Sequence, residues 1–335
     1  MSVAIDRSLK ISYLLFLVIL ASISVLHLTT GLVATLFSYL ALKKLSLGLQ
    51  RKFPAIIVFV ILLAAIFYGF GYFVKHTLAA VPEIVDKSLP QIVQFATEHG
   101  IELPFSDLDS FKNTVLEEVR NALGYLGNFA RIATFESVFF VIGIVVAVGI
   151  FLNPHIDDNR TPHPLNLFSL HTGHLAALFS SFYKSFETVM GAQVIISAIN
   201  TFLTTIYVFA VGMPYAPLIV VVTFLCGLLP VVGNLISNTV IVCIAFRVSP
   251  SFAGWALLFL VTIHKLEYFL NSRIIGGRIR HPMWLTLIAL VFGERLFGLA
   301  GVVLAPVLLH FIKVEASRFQ VEQKSYKLLP PAEKV

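Results

Sequence analysis

The stretch that decides the fold runs from Ala216 to Phe246 and reads APLIVVVTFLCGLLPVVGNLISNTVIVCIAF. It contains no charged residue, and its break lies at residues 229–234, which read Leu-Pro-Val-Val-Gly-Asn. One straight helix of this length would measure about 46 Å, against a hydrocarbon core of about 30 Å. Each arm alone is too short to cross that core. The pattern therefore predicts a re-entrant hairpin, because broken helices in a membrane are tolerated where they line a cavity or substrate path.

The composition of the whole chain favours a membrane protein. Apolar residues make up 58% of the 335 residues and charged residues 13%, against about 25% charged in soluble domains. The net charge of +6 comes from Lys and Arg dispersed among short loops, which argues against a nucleic-acid partner. The two cysteines, Cys226 and Cys243, lie in the apolar arms and are expected to be small apolar fillers. We expect no cofactor.

Apolar segments recur along the chain and predict an all-α, polytopic membrane protein that contains two re-entrant helical hairpins. Arg7 and Lys10 precede the first segment as in a signal peptide, but no small-residue cleavage site follows, so a retained helix is expected. The segments fall at residues 11–27, 30–42, 54–74, 135–152, 189–211, 216–246, 253–271 and 283–312.

The distribution of Lys and Arg predicts the orientation in the membrane. Both termini and the loops 43–53 and 272–282 are basic and are predicted to be cytoplasmic, whereas the acidic region 77–134 is predicted to face outward. A full crossing by 216–246 would place the Arg-rich loop 272–282 outside, so this run must enter and leave on the outer side. The run 283–312 has basic flanks on both sides and is predicted to be a second hairpin, entered from the cytoplasm.

Each hairpin is assigned residues that interrupt it. Pro230 and Gly233 are the predicted breaks of the first. The second is predicted to turn at Gly293-Glu294-Arg295, with Gly301 and Pro306 as further breaks.

Four domains follow from this arrangement. Residues 1–76 form an N-terminal membrane hairpin with a third helix, 77–134 an extracytoplasmic segment, 135–313 the transport core and 314–335 a cytoplasmic tail. Ser106 and Asp107 are candidate N-caps of an amphipathic helix that continues to residue 126. That helix either contacts a subunit or covers a pathway, or it lies on the bilayer surface. A second apolar stripe, at 175–189, predicts an interfacial helix ahead of the membrane helix 189–211.

The candidate functional residues are polar groups in apolar helices. His264, Glu267 and Asn271 are spaced by three and four residues and therefore share one helix face. An ionisable group in such a helix is a functional candidate by default, although Glu267 near a helix end also suits an interfacial residue that orders the next loop. Glu294 and Arg295 either face a substrate path or form a structural ion pair.

Two further polar patterns have more than one interpretation. Asn234 follows the first break and either serves a ligand or caps the second arm. The stretch 155–174 has metal-like spacings but no closed ligand set, and its prolines predict a solvated loop without a metal. Its candidate ligands are His155, Asp157, Asp158, His163, His171 and His174.

The second half of the chain, roughly residues 190–313, resembles the autoinducer-2 exporter family of bacterial inner-membrane transporters. The chain departs from the family pattern after Asn271, where Ser272-Arg-Ile-Ile-Gly-Gly replaces a segment that usually contains proline. The residues that carry the resemblance are Gly191-Ala-Gln193, Gly212-Met-Pro214, Leu229-Pro-Val-Val-Gly233, Leu266-Glu267, Asn271, His281-Pro282, Leu296-Phe-Gly-Leu-Ala-Gly301, Leu304-Ala-Pro306 and Lys313.

The resemblance implies export of small molecules, with a furanosyl signalling compound carried by some members and cation–proton exchange claimed for others. It also implies a homo-oligomer in the bacterial inner membrane. With no Walker motif, an ion gradient or the substrate gradient must supply the energy. The alternative is a non-transporting scaffold or channel-like module. An intramembrane enzyme is disfavoured, because His264-Lys-Leu-Glu267 lacks the second His of a zinc protease and no reactive Ser–His pattern is present.

Overall fold

The computed structural model describes residues 7–100, 117, 136–153, 167–230, 232–274 and 282–319. These residues form ten helices of 12 residues or more and no strand, which confirms the all-α class. The helices are α1 Arg7–Val25, α2 Thr29–Leu49, α3 Lys52–Glu98, α4 Glu136–Leu152, α5 Leu167–Ala210, α6 Ala216–Gly227, α7 Val232–Phe246, α8 Pro250–Ile274, α9 Met283–Phe297 and α10 Leu299–Ala316.

Helix length divides these elements into two groups. By length and composition, five of the described helices (α1, α2, α3, α5 and α10) can cross a membrane. By contrast, α6 and α7 have 12 and 15 residues, or about 18 and 22 Å, and neither reaches across a hydrocarbon core of about 30 Å. Such short apolar helices belong to a membrane protein only if neighbouring helices cover their ends.

The break in the long apolar run is confirmed. Helix α6 ends at Gly227, and α7 begins at Val232, with Pro230 in the turn between them. Gly233 is not in the break itself; it lies in the first turn of α7 and faces the carbonyl of Cys226. A side chain there would overlap that carbonyl, so glycine is what lets the two arms fold back on each other.

The second hairpin also exists, but its predicted turn was wrong. Helix α9 continues through Gly293, Glu294 and Arg295 and ends at Phe297. The break is Gly298, with φ of 63° and ψ of −153°, a conformation that is open almost only to glycine.

Gly301 and Pro306, predicted as further breaks, both lie inside α10. Gly293 and Gly301 bring α9 and α10 together: a Cβ on Gly293 would lie 2.6 Å from the carbonyl oxygen of Gly301. These glycines allow close packing instead of ending a helix.

Two helices are longer than the elements predicted for them. Helix α3 has 47 residues, about 70 Å, and runs through the predicted domain boundary at residue 76. Helix α5 has 44 residues and unites the predicted interfacial helix with the membrane helix after it. His171 and His174, assigned to a loop, lie in the first turns of α5 instead. Apart from Glu117, the amphipathic helix predicted at 106–126 lies outside the described residues, and so does the rest of the predicted loop, 155–166.

The N-terminal half of α5 packs against α1, α2 and α10. Phe16 of α1, Phe182 of α5 and Phe311 of α10 meet in one aromatic cluster, with ring centroids 5.3 to 6.2 Å apart. Near it, the buried Glu315 of α10 accepts hydrogen bonds from the hydroxyls of Tyr13, at 2.8 Å, and Ser181. This carboxylate joins the same three helices.

The C-terminal half of α5 packs against α6, α7 and α8. Their apolar contacts form a cluster that we call the Val208 cluster. Its buried members are Val208, Met213, Ala216, Ile219, Ile241, Ile244, Ala245, Ala253, Ala256 and Leu260.

Candidate functional site

The Glu267 carboxylate on α8 joins three helices. Its Oε2 accepts a hydrogen bond from Nδ2 of Asn234 on α7 at 2.7 Å and another from Nδ2 of Asn200 on α5 at 3.1 Å. A hydrogen bond to an ionised group is roughly twice as strong as one between neutral groups. The carboxylate is therefore held by two amides from two separate helices, one of which begins at the hairpin break.

A small polar cavity of about 20 Å³ surrounds this carboxylate, which is room for about one water-sized occupant. Its polar lining comes from all four helices that meet there, and its apolar lining from three residues of α7 and α8. The lining residues are Asn200, Thr204, Thr223, Gly227, Asn234, Ser237, Asn238, Ile241, Leu260, Ile263, His264 and Glu267.

Two oxygen atoms at the cavity are buried without a hydrogen-bond partner among the described residues. They are Oδ1 of Asn200 and Oγ1 of Thr223. Because an unsatisfied buried polar atom is costly, such atoms call for an explanation, and a bound ion or water is one of the ordinary ones. Together with the Glu267 carboxylate they make the cavity rich in oxygen acceptors.

Helix α5 also holds the first hairpin in place, because two of its side chains donate hydrogen bonds to backbone carbonyls of α6. Nε2 of Gln193 donates to the carbonyl of Gly227 at 2.6 Å, and Oγ of Ser197 donates to the carbonyl of Phe224 at 2.8 Å. Both carbonyls lie in the last turn of α6, where helix carbonyls lack partners within the helix. Two carbonyls at the end of α6 are thereby satisfied by side chains of α5, which suits a helix end within a membrane.

The structure brings together three of the predicted residues. Glu267, His264 and Asn234 all line the cavity. The side chain of Asn271, on the same face of α8 by spacing, lies outside the described residues. Glu294 and Arg295 are not among the lining residues; their exposed side chains form a long ion pair of 3.8 Å on α9.

Asn200 was missed by the sequence reasoning, although a signal for it exists. Ser197, Asn200 and Thr204 recur at spacings of three and four in an otherwise apolar stretch of α5, which is the pattern of one polar helix face. Attention to hydroxyl and amide residues, and not only to ionisable ones, would have found this face. Within the described part of the chain, no group of three or more His, Cys, Asp or Glu side chains forms a metal cluster.

Comparison with known proteins decides the family. The sequence profile of the AI-2E family transporters matches residues 9–318, nearly the whole chain. The chain belongs to the AI-2E transporter family. It is also 24% identical over 258 residues to the "Putative transport protein YdbI" of Bacillus subtilis (strain 168), an alignment that covers 74% of this chain and 72% of that protein. No solved structure matches.

Membership of this family, together with the apolar helices, makes the chain a multi-pass membrane transporter. The resemblance stated from the residues of the second half is confirmed, and the match extends to the first half as well. The family assigns no substrate to this chain.

Proposed function

We propose that this AI-2E family transporter is a secondary exporter of the bacterial inner membrane that moves a small polar molecule or ion, with Glu267 as its coupling carboxylate. The observation that carries the proposal is the pair of amide hydrogen bonds from Asn200 and Asn234 to Glu267. They place an ionisable group at the meeting point of a broken helix and two continuous ones. Half-helices that end at such a point are a common setting for coupling ions and substrates in secondary transporters.

Charge and space support an ion or proton as the occupant of this site. A carboxylate in an apolar helix bundle is costly while charged, and binding a proton or cation removes that cost. A cavity of about 20 Å³ holds one water-sized body and is too small for a furanosyl compound. An organic solute would need a rearrangement of α6 and α7, or a different route.

The remaining expectations belong to the same proposal. We infer a homo-oligomer without nucleic-acid or enzymatic function, embedded in the lipid bilayer. Asn271, Glu294 and Arg295 stay candidates for other parts of the solute path. The competing function is a non-transporting scaffold or a channel-like module, in which Glu267 would only stabilise the bundle.

Accumulation in proteoliposomes separates these functions. Purified protein is reconstituted, a proton or sodium gradient is imposed, and uptake of labelled solutes and ions is followed. Glu267→Gln keeps the shape and the hydrogen-bonding capacity of the side chain but removes its charge. It should abolish gradient-driven accumulation and leave the gel-filtration profile unchanged.

A matched control is Glu98→Gln. Glu98 lies at the end of α3, and its carboxylate is exposed and bonded within its own helix to Gln94. Its removal should leave accumulation unchanged. Normal transport by Glu267→Gln with the wild-type pH dependence, and loss of transport only in Glu267→Ala, would make Glu267 a structural hydrogen-bonding residue. Downhill flux without accumulation in the wild type would favour the channel-like module.

A further inference from the structure

An aromatic stack lies at one edge of the Glu267 cavity. The rings of Tyr207 on α5 and Phe259 on α8 have centroids 4.0 Å apart and planes within 6° of parallel. Thr204 and Ile263 line the cavity; Tyr207 lies three residues after Thr204 on α5, and Phe259 lies four residues before Ile263 on α8. Both steps lead in the same direction, toward the end of α5 and the start of α8.

The surroundings of the stack are apolar. Tyr207 and Phe259 both pack against the Val208 cluster, which fills the space between α5, α6, α7 and α8 at this end of the bundle. Ile241 and Leu260 of this cluster also line the cavity, so the polar lining gives way to packed apolar side chains at this edge.

One atom of the stack does not fit a purely structural role. The hydroxyl of Tyr207 is buried and has no hydrogen-bond partner among the described residues. Phenylalanine would stack equally well without that cost, since tyrosine and tryptophan usually find a partner for their polar atom when buried. A hydroxyl that is unpaired in this packing finds partners if the stack separates and water or solute enters.

We propose that the Tyr207–Phe259 stack is the gate that closes the Glu267 cavity toward the end of the bundle where α7 joins α8. This inference depends on the proposed function, because a gate is needed only if the Glu267 cavity is part of a transport path. In this conformation the gate is shut. Opening separates the two rings, hydrates the Tyr207 hydroxyl and connects the cavity with the solvent on that side.

Labelling tests the gate without a known solute. Thr204, 2% exposed, is replaced by cysteine in a full-length chain that carries Cys226→Ala and Cys243→Ala. A charged, membrane-impermeant methanethiosulfonate is then added to spheroplasts and to inside-out vesicles. Val248→Cys, in the α7–α8 loop and 48% exposed, identifies the membrane side on which this end of the bundle lies.

Four further variants in the Thr204→Cys background decide the outcome. Tyr207→Ala and Phe259→Ala should each speed modification of Thr204→Cys by on the order of tenfold when the reagent is added on the side where Val248→Cys reacts. Loss of one aromatic pair changes the equilibrium between closed and open gate by about that factor. Tyr207→Phe keeps the ring and removes the unpaired hydroxyl, so its rate should not exceed that of the parent. Phe209→Ala removes a ring of the same helix that is 64% exposed and should have no effect.

Equal rates in the parent and both alanine variants would overturn the gate. Equal acceleration by Phe209→Ala would overturn it too, because the effect would then be general loosening of α5. Gel filtration of each variant shows whether the fold survives, and two independent alanine variants guard against the failure of one. The labelling needs no gradient, so it decides the gate even if Glu267→Gln proves fully active.

Discussion

Asn234 makes the shorter of the two hydrogen bonds to Glu267, 2.7 Å against 3.1 Å from Asn200. Its position as the third residue of α7 explains this contact: it is the first polar side chain after the break and faces α8 across the cavity. The amide of Asn234 therefore couples the position of the start of α7 to the charge of the Glu267 carboxylate. Any change in the charge of Glu267 alters the bond that fixes the start of α7.

A double-mutant cycle measures this link. Asn234→Ala, Glu267→Gln and the double variant are compared with wild type by chemical unfolding in detergent. Hydrogen bonds to charged groups contribute about 1.5–3 kcal/mol, so Asn234→Ala should lower the free energy of unfolding by about that amount. The same substitution should cost clearly less in the Glu267→Gln background. Additive effects of the two changes would show that the charge of Glu267 does not strengthen the 2.7 Å contact.

At the scale of single residues, the sequence predicts the ionisable residues of the site but not all of its polar residues. Glu267 and His264 stand out because charge and imidazole are rare in an apolar helix. Asn200 lies 67 positions before Glu267, and its contact with the carboxylate arises only from the packing of α5 on α8. Spacing within one helix predicts which residues share a face, but it cannot predict which face of another helix lies opposite.

At the scale of elements, the two hairpins differ in how far sequence predicts them. Pro230 marks the first turn because proline interrupts the backbone hydrogen bonding of a helix, although Pro306 shows that a proline can also lie inside one. The second turn was misplaced because Gly293, Glu294 and Arg295 look like a break, yet charged residues with exposed side chains are tolerated within α9. The true break, Gly298, is recognised by its positive φ, which depends on how α9 and α10 pack.

Glycine substitutions in the first hairpin test its packing. Gly233→Ala would place a Cβ against the Cys226 carbonyl and should disrupt the pairing of α6 with α7, whereas Pro230→Ala changes only the turn. We therefore expect Gly233→Ala to lower the thermal stability and abolish transport, and Pro230→Ala to be milder. Combining both should favour a longer continuous helix, with transport lost and membrane insertion retained.

Gly254→Ala is the matched control for these substitutions. Gly254 lies within α8, and a Cβ there would meet nothing within 4 Å. Alanine has the higher helix propensity, so this change should be neutral or stabilise the protein by about 0.4–1 kcal/mol. If Gly233→Ala behaves like Gly254→Ala in thermal unfolding and transport, close approach of the two arms is not needed.

At the scale of the whole molecule, contacts between distant elements restrict the topology. Gln91 near the end of α3 donates to the carbonyl of Arg247 at 3.2 Å, and Phe95 lies 5.8 Å from Phe246 between ring centroids. The end of α3 therefore lies on the same side as the α7–α8 loop. This contact agrees with a first hairpin that enters from the side reached by residues 77–98.

The opposite side is marked by basic residues. Lys43 and Lys44 at the end of α2 pair with Glu187 of α5 at 2.7 and 3.2 Å. From Glu187 to the end of α5 is about 35 Å at 1.5 Å per residue, slightly more than one hydrocarbon core. Lys43 and Lys44 and the end of α3 thus lie at opposite ends of a membrane-length path.

Single-cysteine labelling in intact cells tests the predicted orientation, in which both termini and the loops 43–53 and 272–282 are cytoplasmic and 77–134 faces outward. On the background without Cys226 and Cys243, Glu98→Cys should react with an impermeant maleimide added outside. Arg278→Cys should react only after the membrane is permeabilised, because positive loops are retained in the cytoplasm. Strong labelling of Arg278→Cys in intact cells would mean that 216–246 crosses the membrane fully, and the model of two hairpins entered from opposite faces would have to be abandoned.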